Sequence, residues 1–194
     1  MSDEGKNPTR HRRLRRGLMA LCGLVVLAGV ALGAYECYDA HRVPRFGCVV
    51  PGVLYRSGQP APAGFRQIVR RHGIHTVVIL RRKDETEKDR RVAAEYRIAT
   101  ERGVRVIHLP FDERLMYRQL KVFMDIMAKP ANHPVLVHCA KGRDRTGLFV
   151  MAYRMAAQGW ERGRAMAELH AYHFERDEAP RIWRLILAIV PSRL

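Results

Sequence analysis

Three short runs of apolar, mostly β-branched residues constrain the fold of this chain more than any other feature. They are Thr76–Leu80, Val104–Leu109 and Val135–Val137, and each has the length of a buried strand. Amphipathic or charged segments that end near glycine or proline lie between them, as helices do. Strands that alternate with helices favour a mainly parallel sheet covered on both faces. The sequence therefore predicts a single α/β domain with a mainly parallel central sheet flanked by helices.

Helical spacing marks the remaining segments of this domain. A further short strand is predicted at Val53–Tyr55, and the basic cluster Arg81–Lys83 is interpreted as a solvated turn. The predicted helices cover residues 62–72, 85–102, 117–128, 146–157, 161–173 and 180–190.

An uncharged apolar run of 17 residues, Leu18–Ala34, precedes the domain. As a helix it would span roughly 26 Å, enough for a bilayer core, so we expect a transmembrane helix. The sequence then divides into a basic cytoplasmic tail (1–17), an anchor (18–35), a linker (36–48) and the α/β domain (49–194). Because arginines cluster before the run, the positive-inside rule predicts that the domain lies on the non-cytoplasmic, periplasmic side. A cleaved signal peptide and a buried soluble helix are the alternatives.

The charge of the chain favours anionic partners. The formal net charge is +16, and residues 1–17 hold six Lys or Arg and two acidic residues, so most of the excess lies elsewhere. Phosphate groups, acidic lipids and nucleic acid all suit such a charge. We expect no nucleic-acid partner, because the sequence has neither an aromatic-rich nor a helix-turn-helix pattern.

The segment Val135–Gly147 carries the chemistry. It combines a strand, Cys139, a loop with Gly142, and a helix predicted to start near Arg145. Backbone N–H groups of such a loop can converge on an anion at the helix N-terminus, and Gly142 permits the tight curl. Arg145 can offer a planar fork to two phosphate oxygens. The same positive field favours the thiolate form of Cys139, which makes it a candidate nucleophile.

This segment resembles the HC-x5-R-[ST] loop of the protein tyrosine and dual-specificity phosphatase superfamily, and within it the bacterial dual-specificity-like branch. The segments Leu54–Pro60 and Pro134–Cys139 and the turn Gly142–Gly147 match as well, and the resemblance covers roughly Val49–Phe174. It implies a phosphomonoester hydrolase that forms a phosphocysteine and acts on phosphotyrosine- or phosphoserine-type proteins or on anionic phospholipids. No metal or cofactor is implied.

The resemblance also suggests a role for each loop residue. Cys139 is the nucleophile, Arg145 binds the phosphate, His138 orients the loop, and Thr146 donates its hydroxyl to the sulfur. The loop between them contacts the phosphate, and its extra basic residues Lys141 and Arg143 are similar to those of phosphoinositide phosphatases. The residues expected to bind phosphate are Ala140, Lys141, Gly142, Arg143, Asp144 and Arg145.

Three other interpretations fit the loop sequence less well. A rhodanese-like sulfurtransferase usually has its arginine one position nearer the cysteine than Arg145 is. An inactive phosphate-binding relative normally loses either Cys139 or Arg145, and both are present. A buried structural cysteine beside a surface arginine does not explain the strand, loop and helix together.

The general acid is the least determined member of the site. Asp112 follows the Val104–Leu109 strand, where this superfamily carries its acid, and it ranks first. Asp144 inside the loop ranks second and Glu113 third. The alternative for Asp112 is a carboxylate that caps the start of a helix.

Overall fold

The computed structural model describes residues 8–189, so the first seven residues of the predicted tail and the last five of the predicted domain lie outside the described residues. The described residues fall into two compact units, one that ends at Ala40 and one that begins at His41. The second unit contains the sheet and the loop from Cys139 to Arg145.

Five strands form one sheet in the second unit. Four are parallel, and the first, at one edge, is antiparallel to its neighbour. The strands are β1 (Gly47–Val50), β2 (Leu54–Ser57), β3 (Thr76–Ile79), β4 (Arg105–His108) and β5 (Val135–His138), in the spatial order β1-β2-β5-β3-β4. The prediction of a mainly parallel sheet is therefore confirmed, and β5, which precedes Cys139, lies at its centre.

Helices cover both faces of this sheet. They are α2 (Pro62–His72), α3 (Lys83–Thr86), α4 (Arg90–Arg102), α5 (Met116–Met127), α6 (Asp144–Gln158), α7 (Arg162–Ala171) and α8 (Pro180–Ala188), with 3-10 turns at Glu113–Leu115 and Pro130–Asn132. Side chains alternate along β5, so Val135 and Val137 enter one core while Leu136 enters the other. The first core includes α5 to α8 and the second α2 and α4. Both faces are buried, which accounts for the continuous apolar runs in the sequence.

Two predictions of secondary structure were wrong in detail. The segment 36–48 is not a linker throughout, because a helix continues to His41 and β1 begins at Gly47. The helix predicted over 85–102 is two helices, α3 and α4, and Asp89 separates them by accepting a hydrogen bond from the Arg91 N–H at the start of α4.

Arg81 also differs from its prediction. It is 8% exposed rather than solvated, and its guanidinium donates to Asp89 at 2.6 Å and to the Glu85 carbonyl at 2.6 Å. A buried guanidinium needs such partners, and here they join the end of β3 to the turn between α3 and α4.

The apolar run lies within one long helix, α1 (Pro8–His41). Within the described residues, the stretch Leu21–His41 has the length and composition of a membrane span, with a mean hydropathy of 1.7. Its large apolar side chains, among them Leu24 and Leu27, are exposed. A signal sequence near the N-terminus has the same length and composition, so the helix by itself does not distinguish a membrane anchor from a signal peptide.

Candidate active site

The carboxyl ends of the four parallel strands meet at one edge of the sheet. Cys139 follows β5 there, between the segments that follow its two neighbours β2 and β3. Leu109–Asp112 follows β4 at the same edge. In parallel sheets this edge, where loops from adjacent strands converge, is the usual place for a ligand site.

The loop from Cys139 to Asp144 curls tightly. Gly142 has a φ of 72°, a conformation that glycine adopts without strain, and its N–H lies 3.3 Å from the Cys139 sulfur, to which it donates. Helix α6 begins at Asp144, so its free N–H groups and positive dipole end lie beside the loop. Cys139 is 4% exposed. This arrangement stabilises negative charge both on the sulfur and on an anion in the loop.

The end of β2 supports the loop from below. A Cβ added at Gly142 would collide with the backbone of Ser57 and Gly58, so the two backbones approach as closely as glycine allows. The Gln59 N–H donates to the Ala140 carbonyl at 2.9 Å. The segment Leu54–Pro60, which matched the phosphatase pattern in the sequence, therefore holds the loop in shape.

Thr146 contacts the end of β2 rather than the Cys139 sulfur. Its hydroxyl lies 3.5 Å from the Ser57 carbonyl oxygen, to which it donates, and the side chain is fully buried. The prediction that Thr146 donates to Cys139 is not met in this structure. The hydroxyl instead joins the first turn of α6 to the end of β2.

Arg145 has a partner that the sequence did not indicate. Both of its terminal nitrogens donate to Glu85 at 2.7 Å, and Glu85 comes from α3. These hydrogen bonds raise the pKa of Arg145 and lower that of Glu85, so both groups stay charged. The guanidinium also lies 5.9 Å from the centre of the Phe111 ring. The edge formed by Nε and one terminal nitrogen remains available for a phosphate.

Arg143 does not face the site as predicted. It is 7% exposed, and it donates to Asp144 at 2.9 Å and contacts Glu178 at 2.7 Å. Two carboxylates thus neutralise the guanidinium, which connects the loop to the segment before α8. Of the two extra basic residues predicted to contact phosphate, only Lys141 has an exposed side chain.

The three acid candidates line one cavity with Arg145. Asp112 accepts hydrogen bonds from both the backbone and the side chain of Arg114, and the side-chain bond is the main cause that lowers the pKa of Asp112. Asp112 therefore caps the start of the turn Glu113–Leu115, which is the alternative role predicted for it from the sequence. Glu113 is exposed beside it. Asp144 is paired with Arg143.

The cavity itself measures about 670 Å³. Asp144 and Arg145, from the loop, form one wall of the cavity. Basic and acidic side chains line the other walls, one of which is the start of α8. The lining residues are Arg82, Phe111, Asp112, Glu113, Arg114, Asp144, Arg145, Glu178, Ala179, Pro180, Arg181 and Ile182.

A buried polar chain lies behind His138. The ring nitrogen Nδ1 donates to the Cys139 carbonyl at 3.2 Å, and Nε2 lies 2.9 Å from a Glu95 carboxylate oxygen, with both side chains at most 1% exposed. The second contact is close but poorly aligned for a hydrogen bond. Gln59 donates to Glu95 at 2.6 Å and accepts from Arg81 at 3.1 Å, which extends the chain toward α3.

No group of three or more His, Cys, Asp or Glu side chains within the described residues has the arrangement of a metal site. The residues that contact the loop or its neighbours and that sequence reasoning missed are Arg56, Gln59, Glu85, Glu95 and Glu178. Arg56 and Gln59 lie in the Leu54–Pro60 motif, which was a signal for them. The three glutamates are distant in sequence from the loop, and no spacing marks them.

Comparisons with known proteins agree with the family that the loop sequence resembles. The model of the tyrosine phosphatase family matches residues 42–182. Among curated proteins, the dual specificity protein phosphatase TpbA of Pseudomonas aeruginosa (strain UCBPP-PA14) is 36% identical over 77 residues, which cover 39% of this chain and 35% of TpbA. The dual specificity protein phosphatase OPG106 of Vaccinia virus (strain Copenhagen) is 34% identical over 80 residues, 39% of this chain and 46% of that protein. The matches thus span between about a third and a half of these relatives.

Solved structures cover more of the chain. The crystal structure of P. aeruginosa TpbA has a TM-score of 0.62 and 27% identity, over 77% of this chain and 87% of that one. A Cys-to-Ser variant of TpbA in complex with pTyr gives a TM-score of 0.62 and 26% identity, over 76% and 86%. The catalytic domain of the PP-IP phosphatase SIW14 of S. cerevisiae, at 22% identity and a TM-score of 0.61 over 74% and 84%, shares the fold.

Proposed function

This chain belongs to the tyrosine phosphatase family, and we propose that it hydrolyses phosphate monoesters with Cys139 as its nucleophile. The observation that carries the proposal is the position of the Cys139 sulfur. It lies at the carboxyl end of the central strand, accepts the Gly142 N–H at 3.3 Å, and precedes the N-terminus of α6 by a loop of four residues, 140–143. A thiolate at that point can attack a phosphorus atom whose oxygens the loop amides bind.

The reaction has two displacement steps. The Cys139 thiolate attacks phosphorus, the bond from phosphorus to the ester oxygen breaks, and that oxygen takes a proton from Asp112. A water molecule then attacks the phosphocysteine, gives its proton back to the same carboxylate, and releases phosphate and the thiolate. Arg145 stabilises the oxygens of the transferring group in both steps. Asp144 and Glu113 are the second and third candidates for the acid.

Phosphotyrosine-type protein is the substrate class that we place first. The relative TpbA is named a dual specificity protein phosphatase, and one of its solved structures is a complex with pTyr. The loop offers less support for phosphoinositides than its sequence suggested, because two carboxylates neutralise Arg143. Anionic phospholipid is the second candidate, since the chain carries a net charge of +16 and a helix that suits a membrane.

The test is a substrate panel with the full chain purified in detergent. Phosphotyrosine and phosphoserine peptides, phosphoinositides and para-nitrophenyl phosphate are compared by phosphate release. We expect phosphotyrosine peptides to be hydrolysed fastest, and we expect Arg145→Lys to lose most of the activity because lysine makes no bidentate contact. Faster hydrolysis of phosphoinositides would reverse the order of substrates. Unchanged activity in Arg145→Lys would remove Arg145 from the mechanism.

We further propose that α1 anchors the chain and that the catalytic unit lies on the periplasmic side. The arginine cluster at Arg10–Arg16 precedes the apolar run and supports this orientation. Fusions of alkaline phosphatase and of a cytoplasmic reporter to the C-terminus test it. Activity of the cytoplasmic reporter alone would reverse the orientation, and a chain cleaved after Ala34 would replace the anchor by a signal peptide.

A further inference from the structure

Arg56 is a buried arginine directly beneath the phosphate loop. It is 1% exposed, and one terminal nitrogen donates to the Gly142 carbonyl at 3.0 Å. Its guanidinium carbon lies 3.6 Å from the centre of the Tyr172 ring, which covers its other side. Its Nε has no hydrogen-bond partner. The side chain is therefore enclosed between the loop backbone and an aromatic face.

The strand register places Arg56 and Cys139 on one face of the sheet. Arg56 pairs with Val137 in the parallel ladder of β2 and β5. Because strand side chains alternate, Val137 and Cys139 point to the same face as Arg56, and Leu54 and Cys139 share one core. The buried guanidinium thus lies under the same loop into which the sulfur points.

The charge of Arg56 is not balanced by a carboxylate bonded to it. The carboxylate of Glu168 interacts electrostatically with Arg56, but a terminal nitrogen and Nε of Arg154 bind it at 2.6 and 2.9 Å. Burial lowers the pKa of Arg56 to about 10, so it stays protonated at neutral pH. A buried cation without a bonded anion is costly, and its cost falls when a negative charge forms nearby. The Cys139 thiolate is such a charge, and it interacts favourably with Arg56.

We propose that Arg56 is a positioning residue that stabilises the Cys139 thiolate from beneath the loop. This inference rests on the proposed phosphatase function. The charge of Arg56 favours the thiolate, and its hydrogen bond fixes Gly142, whose own N–H donates to the sulfur. Arg56 is 1% exposed and bonds to the loop backbone, and so we expect it to act through Gly142 and Cys139.

Other charged groups near the sulfur do not replace this charge. Arg145 also interacts with Cys139, but its charge is shared with Glu85 and Asp144. On the β5 side, His138 faces the Glu95 carboxylate at 2.9 Å. Around Arg56 itself the titratable groups are Tyr172, Glu168, Arg154 and Cys139. Arg56 is therefore the cation in this group whose charge no carboxylate shares through a hydrogen bond.

The experiment measures thiolate formation separately from turnover. The full chain in detergent is alkylated with iodoacetamide across a range of pH, and the Cys139 peptide is quantified by mass spectrometry, because Cys22, Cys37 and Cys48 also react. Arg56→Met and Arg56→Gln remove the charge, while Arg56→Lys keeps it. Arg162→Met is the matched control, since Arg162 also donates to main-chain carbonyls, those of Ile186 and Ile189, and takes no part in the loop.

We expect the pH midpoint of Cys139 alkylation to rise by about one unit or more in the two neutral variants. It should stay near the wild-type value in Arg56→Lys and in the control. Melting curves identify which variants fold, and either neutral variant suffices if it does. An unchanged midpoint in a folded neutral variant would overturn the inference, as would equal shifts in Arg56→Lys and Arg56→Met, because a purely structural contact predicts those results. Because alkylation needs no turnover, a wild-type protein that hydrolyses no phosphate ester would contradict the proposed function without affecting this result.

Discussion

Glu85 binds Arg145 through two hydrogen bonds of 2.7 Å each, although the two residues are 60 positions apart. The carboxylate engages both terminal nitrogens and leaves the edge that contains Nε turned away from it. A phosphate can take that edge side-on while Glu85 keeps the guanidinium plane fixed. The pair therefore orients the arginine on which phosphate binding depends.

Glu85→Gln should lower kcat/KM by about tenfold, because a charge-assisted hydrogen bond contributes about 1.5–3 kcal/mol and each 1.4 kcal/mol corresponds to a factor of ten. Glu87→Gln is the matched control, since Glu87 is exposed and lies two residues further along the chain. Steady-state kinetics on para-nitrophenyl phosphate measure the effect. A higher kcat/KM in Glu85→Gln would mean that the carboxylate competes with phosphate for Arg145.

Glu85 should also make stability depend on pH. The hydrogen bond from Arg145 lowers the pKa of Glu85 below its ordinary value of 4.5. The pair therefore stabilises the fold above about pH 4.5, and this contribution is lost as the pH falls through the lowered value. Partial exposure of both side chains keeps it modest. Urea unfolding free energies of wild type and Glu85→Gln should differ at neutral pH and converge as the pH falls through the lowered pKa of Glu85. A difference that persists at low pH would contradict this assignment.

Glu95 should contribute strongly to stability, since it is the buried partner of His138. Its removal leaves the buried Gln59 amide and His138 ring without the carboxylate that they face, so Glu95→Ala should cost about 1–3 kcal/mol of unfolding free energy. Glu101→Ala on the same helix is the control. Its exposed pairs with Arg97 and Arg66 predict a loss below about 1 kcal/mol. Similar losses in the two variants would show that the Glu95 contact adds little.

Variants of Asp112 and of its partner Arg114 test whether Asp112 is the general acid. Asp112→Asn should slow the hydrolysis of alkyl phosphates more than that of para-nitrophenyl phosphate, by up to about 10²–10⁴-fold, because only the poor leaving group needs a proton. Arg114 lowers the pKa of Asp112, so Arg114→Gln should raise it and move the basic limb of the pH profile to higher pH. If Asp144→Asn or Glu113→Gln alone shows the leaving-group dependence, that residue is the acid instead.

The sequence alone was enough to predict the strands that are marked by short apolar runs. The apolar runs at β3 and β5 are buried on both faces, and their continuous apolar character made these strands predictable. The edge strand β4 is only partly buried. Strand β1 was missed because it is half-buried, four residues long and close to Pro44. The break between α3 and α4 was missed because their charged residues resemble one solvated helix.

The loop was predictable as a backbone and only partly as a set of side chains. The strand, Gly142 and the helix start follow from neighbouring residues. The direction of Arg143 depends on Glu178, and that of Arg145 on Glu85, and both partners arrive through tertiary folding. The motif that contains Arg56 was recognised in the sequence. Its burial beneath the loop was not predictable, because it depends on the register between β2 and β5.

The central claim is that Cys139 carries the phosphate during turnover. Rapid acid quench of the full chain mixed with para-nitrophenyl phosphate, followed by mass spectrometry, locates any phosphate on the protein. We predict phosphate on the Cys139 peptide in wild type, and a folded Cys139→Ser protein with neither that adduct nor turnover. Near-wild-type hydrolysis by folded Cys139→Ser, or phosphate on another residue, would contradict the account.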